Sequence, residues 1–206
     1  MFRHRTASRK MGVSLPRQKI GTTEEFSSAD EWDAWLAENH GSATELWLRL
    51  AKKGAGAVTV SRTEALEVAL SYGWIDGQAR TQDEVYWLQR FTPRTRRSKW
   101  SKINCATAER LIASGRMKRA GLAEVEAAKS DGRWDAAYAS PREIEIPADL
   151  LDRLQMSRAA EASFNRLDAR SRYAILYRIQ DAKKAETRAR RIEKFVGMLE
   201  RGETVY

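Results

Sequence analysis

A chain of 206 residues with 42% hydrophobic composition can bury a substantial core, and its net charge of +9 gives it a basic surface. Its single cysteine excludes an intrachain disulfide and its two histidines exclude a multi-histidine metal site, so no metal and no cofactor are expected. No stretch approaches the roughly 18 apolar residues of a membrane span, and no apolar signal-peptide core follows the basic N-terminus, which predicts a cytoplasmic chain without membrane insertion.

The charge is uneven. Residues 1–20 hold six bases and no acid, residues 89–108 another six bases and no acid, so the remainder carries −3. Too little apolar surface accompanies the first stretch for it to fold, which predicts a disordered basic tail over 1–20, with Met11 a second candidate start. Ser28 and Glu31 fit a capping box, opening a helix in which Trp32, Trp35 and Leu36 share a core-facing side and which Gly41 can close. "ELWLRLAKK" alternates Leu46, Leu48 and Leu50 with Trp47, Arg49 and Ala51, the period of a strand with one face inward. A second capping box, Ser61 to Glu64, begins a helix through Leu70 that Gly73 can stop, and "WIDGQA" and "VYWLQRF" follow as strands. Beyond Pro93 come helices near 104–114 and 120–130, stopped by Gly115 and Gly132.

Pro141 and Pro147 forbid a continuous helix across "ASPREIEIPADL", which reads as a connector. From 148 onward the chain is helical, and Ala182, Ala185, Ala189, Ile192, Val196 and Leu199 form one apolar seam along a long charged helix, expected to dock on the N-terminal part. The expected fold class is α+β, a small mixed or antiparallel sheet with helices followed by an all-helical C-terminal module. The expected divisions are a tail over 1–20, an α+β domain over 21–138, a connector over 139–147 and a helical module over 148–206.

Candidate chemistry is sparse. Gly73 and Gly77 bracket Trp74, Ile75 and Asp76, which predicts a buried Trp74 with a hydrogen-bonded Asp76 beside it. Asp76 then either acts as a general acid or base, or caps a turn or pairs with an arginine beyond Phe91. His40 in "ENHG" reads as a helix-end residue; Cys105, just inside a helix start, is either a thiol of lowered pKa or a small core residue. No serine elbow, P-loop or dinucleotide fingerprint occurs, and no catalytic residue is assigned.

The stretch "FTPRTRRSKWSKIN", residues 91–104, is the strongest signal. Ser98, Ser101 and Asn104 are suitable N-caps, and Arg94, Arg97 and Lys99 beside a free helix N-terminus would hold an anion. The same bases would contact phosphates of a nucleic acid while Phe91 and Trp100 stack on unpaired bases, or they would pair with carboxylates of the same chain.

"ALSYGWIDGQ", "LQRFTPRTRRSKWSKIN", "LIASGRMKRAGLAEVEAAKSDGRWDAAY" and "YRIQDAKKAETRARRIEKFVGMLERGE" together resemble the YdeI/OmpD-associated, or bacteriocin-protection, family over about 28–203. The resemblance implies an α+β N-terminal part, a helical C-terminal module, and a bacterial role in protection against antimicrobial peptides or bacteriocins; it brings no catalytic residues. Ser71 stands where the resembled family often has cysteine, a departure that weakens any thiol mechanism. The expected function is that of a non-enzymatic cytoplasmic protein in stress or envelope protection, binding an anionic small molecule or acidic protein partner through Trp74, Asp76, Arg94, Arg97, Ser98, Lys99, Trp100 and Asn104. The alternatives are a nucleic-acid-binding protein using the 90–102 loop and an enzyme on a small anionic substrate with Asp76 as acid or base.

Overall fold

The structure is a computed structural model that describes residues 21–203; the expected basic tail over 1–20 lies outside the described residues. Four strands form a mixed sheet in the order β1-β2-β4-β3. β1 (Thr23–Glu24) runs parallel to β2 (Leu46–Ala51), and β4 (Tyr86–Pro93) runs antiparallel to both β2 and β3 (Trp74–Thr81). The β3 and β4 pairing shifts register between Asp76 and Ala79, a bulge at the sheet edge. The expected alternation in β2 places Leu46, Leu48 and Leu50 in the core, but Trp47 on the other face is buried too, with the Arg80 guanidinium 5.0 Å from its ring centroid.

Two helices cover this sheet. α1 (Ala29–Asn39) starts at Ser28, whose side chain accepts from Glu31 N, but the Glu31 carboxylate reaches back to Ser27 N and Oγ rather than to Ser28, so the expected box is completed one residue early. α2 (Arg62–Ser71) has both halves of its box, Ser61 with Glu64. Between them and the sheet, Trp32, Trp74, Phe91 and the leucines of β2 form the first core, with the Trp32 and Trp74 rings meeting edge-on at 6.4 Å. Trp32 Nε1 donates to Ala65 O at 3.0 Å, which joins α1 to α2 while satisfying the buried indole.

α3 (Lys102–Ala113) and α4 (Arg119–Ser130) pack on α2 through a second core of Leu70, Trp100, Ala108, Leu111, Val125 and Ala128. The approach is close enough to require Gly121: a Cβ there would meet Ser71 O at 2.3 Å and Leu70 O at 2.7 Å. Gly73, at φ +75°, ends α2 and turns the chain directly into β3. Residues 131–147 contain turns and a single isolated bridge, Ser101 with Tyr138.

The C-terminal part is helical as expected, in four pieces: α5 (Ala148–Gln155), α6 (Arg158–Arg166), α7 (Ala169–Gln180) and α8 (Ala185–Glu200). It builds its own core from Leu150, Leu154, Phe164, Ile175, Ile179, Ile192, Phe195 and Val196. This corrects the expected seam. The chain turns between α7 and α8, so α8 folds back onto α5, α6 and α7 instead of docking on the N-terminal part. Ile192, Val196 and Leu199 are buried, whereas Ala185 and Ala189 face solvent. The fold-back places Arg188 Nη1 on Ile179 O at 3.3 Å and Arg191 on Arg178 O, so the carbonyls at the end of α7 are capped by cations of the next helix.

Candidate functional site

β4 delivers the basic stretch to the surface. Its end is pinned where Arg94 N donates to Gly73 O at 2.9 Å, and the chain then makes a tight turn, with Thr95 N donating to Ser98 Oγ at 2.9 Å and Ser98 N to Thr95 O at 2.9 Å. Ser98 is therefore spent inside its own turn, and Ser101 is the cap of α3, accepting from Asn104 N at 3.1 Å. The expected free helix N-terminus is not there. Lys102 N donates to Tyr138 O at 2.9 Å and Tyr138 N to Trp100 O at 3.0 Å, so residues 131–139 are strapped across the start of α3 and occupy its first donor.

The six bases have separate fates. Arg90 pairs with Glu45, and Lys99 Nζ reaches Asp181 Oδ1 at 2.5 Å and Tyr177 Oη at 3.2 Å, so internal carboxylates take two of them. Arg94 is buried, 6% exposed, with its Cζ 3.6 Å from the Trp100 ring centroid. Its Nη1 donates to Lys99 O at 3.2 Å, yet its Nε and Nη2, and Trp100 Nε1 beside them, are buried without a hydrogen-bond acceptor. Burial pushes the Arg94 pKa down to about 10, with Glu124 opposing, so it remains charged at neutral pH. Arg96, Arg97 and Lys102 are exposed and make no side-chain hydrogen bond or ion pair among the described residues.

A groove of about 610 Å³ gathers these loose ends. Its cations are Arg96, Arg97, Lys99, Lys102, Arg133 and Lys183; its carboxylates are Asp131, Asp135 and Asp181, a balance of six against three. Trp100, Tyr138, Tyr177 and a run of alanines over 136–139 supply apolar surface. Arg133 is structural: its side chain is 12% exposed, and it holds Asp131 at 2.8 Å while donating from Nη1 to Thr95 O and Ser98 O. Lys99 spans the groove. Burial by itself would lower its pKa, but the hydrogen bonds to Asp181 and Tyr177 outweigh that and leave it raised. Tyr138 and Tyr177 meet edge-on at 5.2 Å, and burial raises the Tyr138 pKa, keeping it a neutral phenol.

Of the residues expected in the site, Arg97, Lys99 and Trp100 line this groove. Arg94 and Asn104 are buried and do not line it, nor does Ser98, whose carbonyl accepts from Arg133. Trp74 is a core residue, with Nε1 donating to His40 O at 3.2 Å, and Asp76 is hydrogen-bonded as expected, but to Arg62 at 2.5 Å rather than to an arginine beyond Phe91. Phe91 and Trp100, at 0% and 2% exposure, are unable to stack on nucleic-acid bases. Cys105 takes the second of its two expected readings, a small core residue: burial pushes its thiol up to about 11, the opposite of activation. His40 is a helix C-cap, with Nδ1 2.8 Å from Leu36 O. Sequence reading missed Arg133, Tyr138, Tyr177, Asp181 and Lys183, which reach the groove from distant parts of the chain.

Residues 143–202 match the family model described as Bacteriocin-protection, YdeI or OmpD-Associated. Over that segment the chain is similar to the YdeI/OmpD-associated family. Residues 24–124 match a separate model, described as Domain of unknown function (DUF8412), so the likeness expected over 28–203 narrows to the C-terminal module. No curated protein and no solved structure matches the chain. The groove takes Arg96 to Lys102 from the first matched segment, Tyr177 to Lys183 from the YdeI/OmpD-associated one, and residues 131–139 from the stretch between. No helix among the described residues is long and apolar enough to cross a membrane.

Proposed function

We propose that this protein serves a bacteriocin-protection or envelope-stress role by binding rather than by catalysis, holding an anionic ligand or acidic partner in the cationic groove, and that it does so in the cytoplasm. The observation that carries this reading is the set of four exposed cations without a hydrogen bond or ion pair among the described residues, Arg96, Arg97, Lys102 and Lys183, around a concave surface lined also by aromatic rings, with Arg96 acting on Asp131 only at longer range. Buried donors without acceptors at Arg94 and Trp100 lie in the same neighbourhood, and donors of that kind favour a ligand rich in acceptor oxygens. A cationic groove gains nothing from a cationic peptide, so protection by direct capture of such peptides is disfavoured and the effect is indirect. The enzyme alternative loses its support, since Asp76 is engaged by Arg62 and does not line the groove.

Calorimetric titration with pyrophosphate, as the simplest polyanion, and with a short polyglutamate peptide tests the reading at matched ionic strength. Binding of at least one, weakened at least about 10-fold in Lys102→Glu/Lys183→Glu, is expected. Absence of binding by either, together with no retention of the wild-type chain on heparin, would overturn it.

A further inference from the structure

We infer that the groove's ligand is a nucleoside phosphate carrying about three negative charges, held between the two matched segments. The inference rests on the anion-binding reading above and names its chemistry. Three features narrow the class. The groove's six cations against three carboxylates leave +3, which a diphosphate or triphosphate compensates and a lone carboxylate does not. At about 610 Å³ it is the size of a pocket for one small organic molecule, within the roughly 300–1,000 Å³ typical of such sites. Its lining is also of two kinds. Tyr138, Tyr177 and the alanines supply apolar surface suited to a base and sugar, and Arg96, Arg97 and Lys102 supply charge suited to phosphates.

The buried donors supply an independent pointer. Trp100 lines the groove, is 2% exposed, and its Nε1 has no acceptor. Arg94, stacked on that ring and 6% exposed, has two more nitrogens in the same condition. Trp100 Nε1 is a donor on a lining residue, and the Arg94 nitrogens, outside the lining but stacked on the same ring, are donors too, which favours a ligand carrying acceptor oxygens. A polymeric nucleic acid fits less well, because the two aromatic rings of the basic stretch, Phe91 and Trp100, are buried and leave no stacking platform along a strand.

The test is calorimetric titration of the full chain with ADP, adenosine, pyrophosphate and a 12-nucleotide single-stranded RNA at one ionic strength. ADP is expected to bind at least about 10-fold more tightly than either pyrophosphate or adenosine, since only ADP uses both the aromatic and the cationic lining of the groove. Arg97→Ala/Lys102→Ala, at two exposed positions that leave the fold intact, should lower ADP affinity at least about 10-fold, whereas Arg158→Ala on α6 should not change it. Melting curves of each variant without ligand separate lost binding from lost structure. Equal affinity for pyrophosphate and ADP would overturn this inference while leaving the anion-binding reading intact. RNA bound far more tightly than ADP would replace it with a nucleic-acid interface, and failure of every anion would sink both.

Discussion

Arg94 shows how one residue can be legible in type and illegible in role. The sequence presents it as one of six surface bases, but the turn that follows β4 tucks it against Trp100, where the ring face replaces only part of the hydration the cation loses. A buried cation with two donors unpaired is costly, so Arg94→Met, which keeps the volume and removes the charge, should leave denaturant stability unchanged or raise it. A fall of more than about 1 kcal/mol would show that the guanidinium is fully compensated in the fold. Trp74 behaves oppositely. It fills the first core at 1% exposure, and Trp74→Ala should cost on the order of 3 kcal/mol in urea unfolding. Cys105 carries a pH consequence. Its folded pKa, about 11, lies above the ordinary 9, so the folded state holds the proton more tightly; this contribution is fully present below pH 9 and is lost as pH rises from about 9 to 11. Cys105→Ala should lose less stability than the wild type over that window, and native Cys105 should resist alkylation at pH 8; equal losses would remove the effect.

At the scale of elements, the local signals placed the helix starts at Ser28 and Ser61, although only the second forms the full box. Ser61 with Glu64 forms the full box, so Ser61→Ala should cost about 1 kcal/mol, measured by the denaturation midpoint. Gly73, Gly115 and Gly132 stop helices at positive φ, as their spacing predicted. The C-terminal seam failed for an equally physical reason. Heptad spacing says that Ile192, Val196 and Leu199 share a face, but not which surface covers it, and the turn at 181–184 gives that face to α5, α6 and α7. Ile192→Asp should accordingly melt the C-terminal helices by burying an unpaired carboxylate, while exposed Arg190→Ala should shift the melting temperature little. If Ile192→Asp melted like wild type, α8 would have to be peripheral to that core.

For the whole molecule, the question is how the first core and the C-terminal core are held together. Lys99 with Asp181, Tyr138 against Tyr177, and Tyr173 Oη donating to Ala139 O at 3.2 Å all lie around the groove. The ion pair is half exposed and contributes at most about 1 kcal/mol, which leaves the tyrosine contacts as the larger of these three terms. Tyr177→Ala should speed trypsin cleavage at Arg142 while the helical circular dichroism is retained; unchanged cleavage would place the docking elsewhere. By itself, the sequence determined the α+β class, the helix caps, the three core strands and the helical C-terminus, because periodicity, capping and turn chemistry act over a few residues. Only the tertiary structure decided which bases are free. Lys99 and Asp181 are 82 positions apart and Arg133 reaches back to Ser98 across 35, and pairings at such separations depend on how whole elements pack, which no local pattern encodes.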